Sequence, residues 1–331
     1  MPRTAPADPE QTADKVLAGD RRALAQAITL VESSRPEHRA AAERLLTRLT
    51  PHAGGSRRLG ITGAPGVGKS TFIDALGTLA IAQHCRVAVL SIDPSSQLTG
   101  GSILGDKTRM QELARDSAAF VRPSPAGGTL GGVHRRTRES ILLVEAAGHD
   151  VVIVETVGIG QSEIAVADMT DVFLLLMLPS GGDELQGIKR GVVEMADFVL
   201  VNKADGELQT AAQKTAADYT NALRYLRPRT ANRQVPVQTC SALTGAGIAE
   251  IWRQICDYHG ALLSSSELTA RRADQSRSWL WAELADCLLT SLRANAAVKT
   301  ILPDIERQVE QGELAPTVAA QLLLARLGRG T

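Results

Sequence analysis

An α/β fold, with a largely parallel sheet sandwiched by helices, is predicted by three observations. Six short runs of near-continuous Val, Ile and Leu recur between helical stretches, at residues 59–62, 86–92, 150–155, 171–178, 197–202 and 235–240. Strands that read this way are buried on both faces, as in a parallel sheet with helices on each side. The first run passes straight into a glycine-rich turn that opens a helix. The segments with chemically useful residues follow the strand ends, and open α/β sheets hold ligands beyond the carboxyl ends of their strands.

The chain begins with a polar, proline-containing stretch, followed by two helical patterns at residues 12–33 and 36–49 that stop at Pro51 and the Gly54-Gly55 turn. They form an N-terminal extension, residues 1–56. Residues 63–71, Gly63-Ala64-Pro65-Gly66-Val67-Gly68-Lys69-Ser70-Thr71, complete the pattern G-x-x-x-x-G-K-[ST]. Glycines let the backbone curl so that its N–H groups face inward, and the helix that follows adds its dipole, so a polyphosphate can be held there. Lys69 then reaches the terminal phosphates and the Ser70 hydroxyl takes Mg²⁺. The strand at residues 86–92 leads to Asp93, and a Gly-rich loop at 100–108 contains Asp106. Both are candidate carboxylates for the metal, although a single Asp in a loop is more often a turn or cap residue.

The strand at 150–155 ends in an acid, Glu155, followed by Thr156-Val157-Gly158, an E-x-x-G arrangement. An acid there can bind Mg²⁺ or its waters, and the Gly158 backbone can sense a γ-phosphate. Residues 179–189 contain three glycines and Lys189. That lysine could neutralise transition-state charge or hold Glu155, but periodicity alone favours an exposed lysine at a helix start. The strand at 197–202 delivers Asn202-Lys203-Ala204-Asp205, an N-K-x-D element. A carboxylate at Asp205 accepts two hydrogen bonds from the N1–H and 2-amino groups of guanine, whereas adenine offers no such donor pair. Alone, the tetrapeptide is a common coincidence; joined to the phosphate loop it becomes specific for a guanine nucleotide. After the strand at 235–240, the turn Ser241-Ala242-Leu243 offers backbone N–H groups to the guanine oxygen.

The nucleotide-binding core thus spans residues 57–260, and residues 261–331 form a mainly helical arm. Within it Trp281, Leu284, Ala285, Leu288 and Leu292 share one helical face, widened by Leu280, Cys287 and Leu289. The face either folds back on its own core or forms a homodimer interface. Lys plus Arg equals Asp plus Glu at 36 each, so no charge excess argues for nucleic acid or an anionic membrane. Four scattered cysteines, Cys85, Cys240, Cys256 and Cys287, read as reduced core residues and not as a disulfide framework or zinc site. The longest apolar run is too short to span a bilayer, and the first residues lack the apolar region of a leader, so a cytoplasmic location is expected.

These blocks, taken together, resemble the methylmalonyl-CoA mutase-associated GTPases, metallochaperone-type P-loop proteins formerly described as lysine, arginine and ornithine transport system kinases. The marks are residues 63–71, 93–96, 100–110, 128–132, 155–163, 182–189 and 202–205, in the family's order. Ala64 and Gln97 are small departures. The resemblance implies a homodimeric GTPase that binds an adenosylcobalamin-dependent acyl-CoA mutase, gates cofactor delivery and protects the mutase; the mutase's adenosyltransferase is a further candidate partner. GTP and GDP are its substrate and product, Mg²⁺ its metal, and cobalamin enters only through the partner. By similarity Lys69, Ser70 and Thr71 bind phosphates and metal, Asp106 and Glu155 belong to the Mg²⁺ sphere with Asp93 beside them, and Lys189 helps to activate hydrolysis when the partner is bound. A nickel-insertion GTPase and a small-molecule kinase are the alternatives; the first usually displays Cys or His near its switches, and the second needs an acceptor site and ordinarily ATP.

Overall fold

The computed structural model describes residues 8–33, 35–92, 110–122, 130–156, 162–179, 190–226, 229–230 and 233–327. It divides into two compact units, Met1–Arg271 and Arg272–Thr331.

Seven strands form the sheet of the first unit: β1 (Arg57–Gly63), β2 (Val87–Ile92), β3 (Ala119–Arg122), β4 (Val151–Thr156), β5 (Val172–Met177), β6 (Phe198–Val201) and β7 (Val237–Thr239). Their order is β3-β2-β4-β1-β5-β6-β7, and every neighbouring pair is parallel. Strands β2, β4, β5 and β6 are buried at every position, which is why their sequences show continuous apolar runs. One strand, β3, was absent from the sequence expectation: four residues, Ala-Phe-Val-Arg, are too few to display a period. The last strand is shorter than expected because Pro236 has no N–H for a ladder, although its carbonyl still accepts from Val199 N.

On one face, Leu59, Ile61, Val89, Ile153 and Leu174 pack against Phe72, Ile73 and Leu76 of the helix Lys69–Ala82 and against Trp252 and Ile255 of the helix Ile248–Ser264. On the other, Gly60 of β1 admits a close approach: a Cβ there would lie 2.7–2.9 Å from Thr170, Phe173 and Val166. Among the described residues three α-helices precede the sheet where two were expected. Gly19 (φ 78°) breaks the first pattern into Pro9–Leu17 and Arg21–Val31, and the Asp20 carboxylate caps the second by accepting from Arg22 N and Ala23 N. With Pro36–Leu49 these helices bury Val16, Leu24, Ile28 and Leu45 and pack on the helix Leu130–Ala146.

The amino edge of the sheet is closed by a device used three times. Asp150, Asp171 and Asp197 each stand immediately before a strand and bond reciprocally to one residue next door. Asp171 N donates to Arg58 O at 2.8 Å while Arg58 N donates to Asp171 Oδ2 at 2.9 Å. The same pair of bonds joins Asp150 to Arg86 and Asp197 to Phe173. Nearby, the Glu145 carboxylate accepts from Arg58 Nε and Nη2, both at 2.8 Å, from Ser56 Oγ at 2.6 Å and from Gly54 N at 2.8 Å. Asp197 also accepts from Tyr258 Oη at 2.7 Å, and Arg233 lies over the Tyr258 ring at 3.7 Å.

In the second unit the helix Glu267–Ala294 continues from the first, followed by Ala296–Glu310, capped by Asn295, and Pro316–Leu327. The last two pack together. Trp281 is 64% exposed, and Leu280, Leu284, Leu288 and Leu289 are exposed as well. No helix of the described residues is long and apolar enough to cross a membrane.

Candidate functional site

The site is built where β1 ends. Gly63 has φ 153° and runs so close to β5 that a Cβ would meet Leu176 O at 2.4 Å, so any side chain would displace backbone. Gly66 and Gly68 take φ 80° and 92°, left-handed values open to glycine, and Gly68 is the residue from which the helix Lys69–Ala82 starts. The first N–H groups of that helix have no partners within it and face the hollow of the loop. Lys69 is 8% exposed, and its Nζ donates to Gly63 O at 2.7 Å and Ala64 O at 3.2 Å, which holds the ammonium over residues 63–68.

Ser70 faces β4. Its Oγ donates to Glu155 Oε1 at 3.2 Å, and Glu155 is 3% exposed. A hydroxyl beside a carboxylate, next to a loop shaped for phosphate, supplies the hard oxygen donors that Mg²⁺ takes, so these two residues fit the metal. Among the described residues no group of three His, Cys, Asp or Glu side chains gathers as a metal site. Asp93, Asp106, Gly158 and Lys189 lie outside the described residues.

The third component comes from β6 and β7. Asn202, 1% exposed, donates through Nδ2 to Val67 O at 2.8 Å and accepts at Oδ1 from Ala242 N at 3.0 Å. One side chain therefore fastens the phosphate loop to the turn Ser241-Ala242-Leu243. A Cβ on Gly68 would lie 2.7 Å from Asn202 Nδ2, which makes glycine necessary there for space as well as for conformation. Lys203 adopts φ 60° and its stem passes beside Gly68. The Asp205 carboxylate accepts from Ser241 Oγ, which in turn accepts from Thr244 N at 3.1 Å. Leu243 is 81% exposed beside it, so the turn presents an apolar side chain to solvent next to a fixed carboxylate. Cys240, at the root of the turn, has its thiol pushed up to about 12 by burial, so it is a packing residue and no nucleophile.

Lys69, Ser70, Glu155, Asn202, Lys203, Asp205 and the 241–243 turn thus lie along one edge, at the carboxyl ends of β1, β4, β6 and β7. Sequence reasoning placed Asn202 among nucleotide contacts; its double tether between loop and turn had no signal in the sequence, because Val67 and Ala242 contribute only backbone atoms.

Similar proteins are known over most of the chain's length. Residues 24–297 match the family model described as methylmalonyl Co-A mutase-associated GTPase MeaB. The GTPase ArgK of Escherichia coli is 52% identical over 277 residues, 84% of each chain. A mouse protein named methylmalonic aciduria type A homolog, mitochondrial, is 46% identical over 319 residues, 93% of this chain and 77% of that one. A crystal structure of an LAO/AO transport system kinase superposes with a TM-score of 0.77 at 40% identity, covering 98% of this chain and 99% of the other.

Proposed function

The chain belongs to the family of methylmalonyl-CoA mutase-associated GTPases, and from that premise we propose that it hydrolyses GTP to gate adenosylcobalamin delivery to, and to protect, an adenosylcobalamin-dependent acyl-CoA mutase in the cytoplasm. The observation that carries the nucleotide part of this reading is the Asn202 tether. It fixes a phosphate-type loop and a guanine-type carboxylate to one rigid frame, the spacing a single nucleotide needs.

In this reading the backbone N–H groups of residues 63–71 and the Lys69 ammonium hold the phosphates. Asp205 accepts from the guanine N1–H and 2-amino groups, and Ser241 keeps its carboxylate in place. Ser70 and Glu155 would hold Mg²⁺, which would supply charge neutralisation for the phosphates. Asp93, Asp106, Gly158 and Lys189 are assigned to the metal sphere, the γ-phosphate contact and partner-stimulated hydrolysis on the resemblance alone. The exposed apolar side chains of the second unit, Trp281, Leu284 and Leu288 among them, serve a homodimer. The description of the matching family supplies the link to the mutase; the mutase itself would provide the stimulus for turnover.

Calorimetry with GDP and ADP tests the site, and phosphate release from GTP with and without a purified acyl-CoA mutase tests the role. GDP uptake without ADP uptake, and hydrolysis accelerated by the mutase, are expected. Equal uptake of the two nucleotides removes the guanine assignment, and turnover indifferent to the mutase removes the partner.

A further inference from the structure

The backbone ladder between β1 and β4 gives out at the pair Ile61 and Glu155. One residue further, where β1 turns into the phosphate loop at Gly63 and β4 has just delivered Glu155, two hydroxyls meet. Thr62 Oγ1 and Thr156 Oγ1 lie 2.8 Å apart, at 2% and 0% exposure. They occupy the face of the sheet opposite the helix Lys69–Ala82, the face that also contains Gly60 with Val166 and Thr170 pressed against it. No other side-chain bond joins the two strands among the described residues.

This position is informative because a buried hydroxyl pair is a poor choice for packing alone. Valine has the same shape and would fill the space without a polar atom to satisfy. What the hydroxyls add is direction: a bond between two strand ends past the last ladder pair fixes how far β4 reaches along β1. Glu155 is the residue immediately before that bond on one strand, and Gly63 immediately after it on the other. Ser70, the partner of Glu155 at 3.2 Å, sits seven residues beyond Gly63 on the same rigid loop and helix.

We propose that Thr62 and Thr156 are positioning residues for the metal carboxylate: their mutual hydrogen bond holds the end of β4, and so Glu155, at a fixed height against the phosphate loop and Ser70. The inference rests on the reading of Ser70 and Glu155 as the Mg²⁺ pair. Neither threonine touches nucleotide in this scheme. Their effect reaches the metal through the position of one carboxylate, on a strand whose other neighbour, β2, pairs Ile92 with Thr156.

Three variants separate positioning from packing: Thr62→Val, Thr156→Val and the double substitution. Each is read twice, by the urea midpoint of nucleotide-free protein and by the free Mg²⁺ concentration that half-suppresses release of a fluorescent GDP analogue. Each single variant leaves one buried hydroxyl without a partner and should lower the urea midpoint; the double variant leaves none and should recover most of it. The Mg²⁺ midpoint should rise about threefold or more in all three, including the double variant, and Thr156→Ser, which keeps the hydroxyl, should restore it. A double variant whose Mg²⁺ midpoint equals that of wild type overturns the proposal, as does an unchanged Mg²⁺ midpoint in every variant. Wild-type protein that holds the GDP analogue without any Mg²⁺ dependence overturns the metal assignment beneath it, and wild-type protein that does not hold the analogue at all overturns the proposed function instead.

Discussion

The two edges of the sheet use the same kinds of residue for opposite ends. At the amino edge, polar groups are paired within the protein by short bonds: Glu145 receives four donors at 2.6–2.8 Å, and three aspartates each close a two-bond ring with a neighbouring residue. At the carboxyl edge, the contacts that hold the charged groups include long ones, 3.2 Å from Ser70 to Glu155 and 3.2 Å from Lys69 to Ala64 O. Carboxylates and ammonium groups buried with a full set of partners have no capacity left for a ligand. Lys69 Nζ also donates to Gly63 O at 2.7 Å, so these groups are set against loop carbonyls and the Ser70 hydroxyl, and such neutral contacts can be exchanged for phosphate or metal. The comparison teaches that buried charge closed on an opposite charge or on backbone N–H groups is structural, while buried charge set against neutral oxygens at a strand's carboxyl end is the kind a ligand can engage.

Three experiments press on that contrast. The largest effect belongs to the amino edge: Glu145→Ala should strand the Arg58 guanidinium, whose side chain is 6% exposed, without its buried partner. Breaking one side of such a pair costs about 3–5 kcal/mol, seen as a lower urea midpoint at unchanged slope, while GDP affinity of the folded protein stays within about twofold of wild type. A variant that keeps its stability and loses GDP would erase the distinction between the edges.

Lys69→Ala should act in the reverse sense. Loss of a charged donor to phosphate removes about 2–3 kcal/mol of binding, roughly 30- to 150-fold in the dissociation constant of GDP. The nucleotide-free urea midpoint should move less than in Glu145→Ala, because the groups that lose their donor, the Gly63 and Ala64 carbonyls, carry no charge. Calorimetry and denaturation on one sample decide it.

The smallest effect is the pH response of the amino edge. His149, just before Asp150, is buried, and burial holds its pKa down, from 6.5 to about 4; its Nδ1 lies 2.9 Å from Val144 O, a carbonyl that can only accept. The unfolded chain therefore takes up a proton near pH 6.5 that the folded protein refuses until about pH 4. Stability present above pH 6.5 is lost as pH falls through that window, by about 1.4 kcal/mol at pH 5.5. Denaturation midpoints at pH 7.5 and 5.5 should show the loss in wild type and a flatter profile in His149→Asn; equal profiles would remove His149 as the cause.

The carboxyl edge was the more legible in sequence. Its residues stand in contiguous blocks, so residues 63–71 and 202–205 could be read together with the strands that present them. The fold followed from the apolar runs for six of seven strands. What escaped was assembled from distant, individually ordinary residues: Arg58 with Glu145, Asp171 with Arg58 N, Asn202 with Val67 and Ala242. An aspartate ahead of an apolar run reads as a strand boundary, and nothing local states that its carboxylate will close a ring with a neighbour's backbone. Gly19 falls inside the single helical pattern expected over residues 12–33, although Asp20 behind it is a strong capping residue.

Asn202 has a consequence for the traffic of nucleotide through the site. Because a single amide grips Val67 on one side and Ala242 on the other, the loop and the turn behave as two jaws on a common hinge pin. In the proposed reading, a protein that pries the turn open must tug the loop with it, so eviction of GDP would proceed as one concerted release rather than as two separate steps.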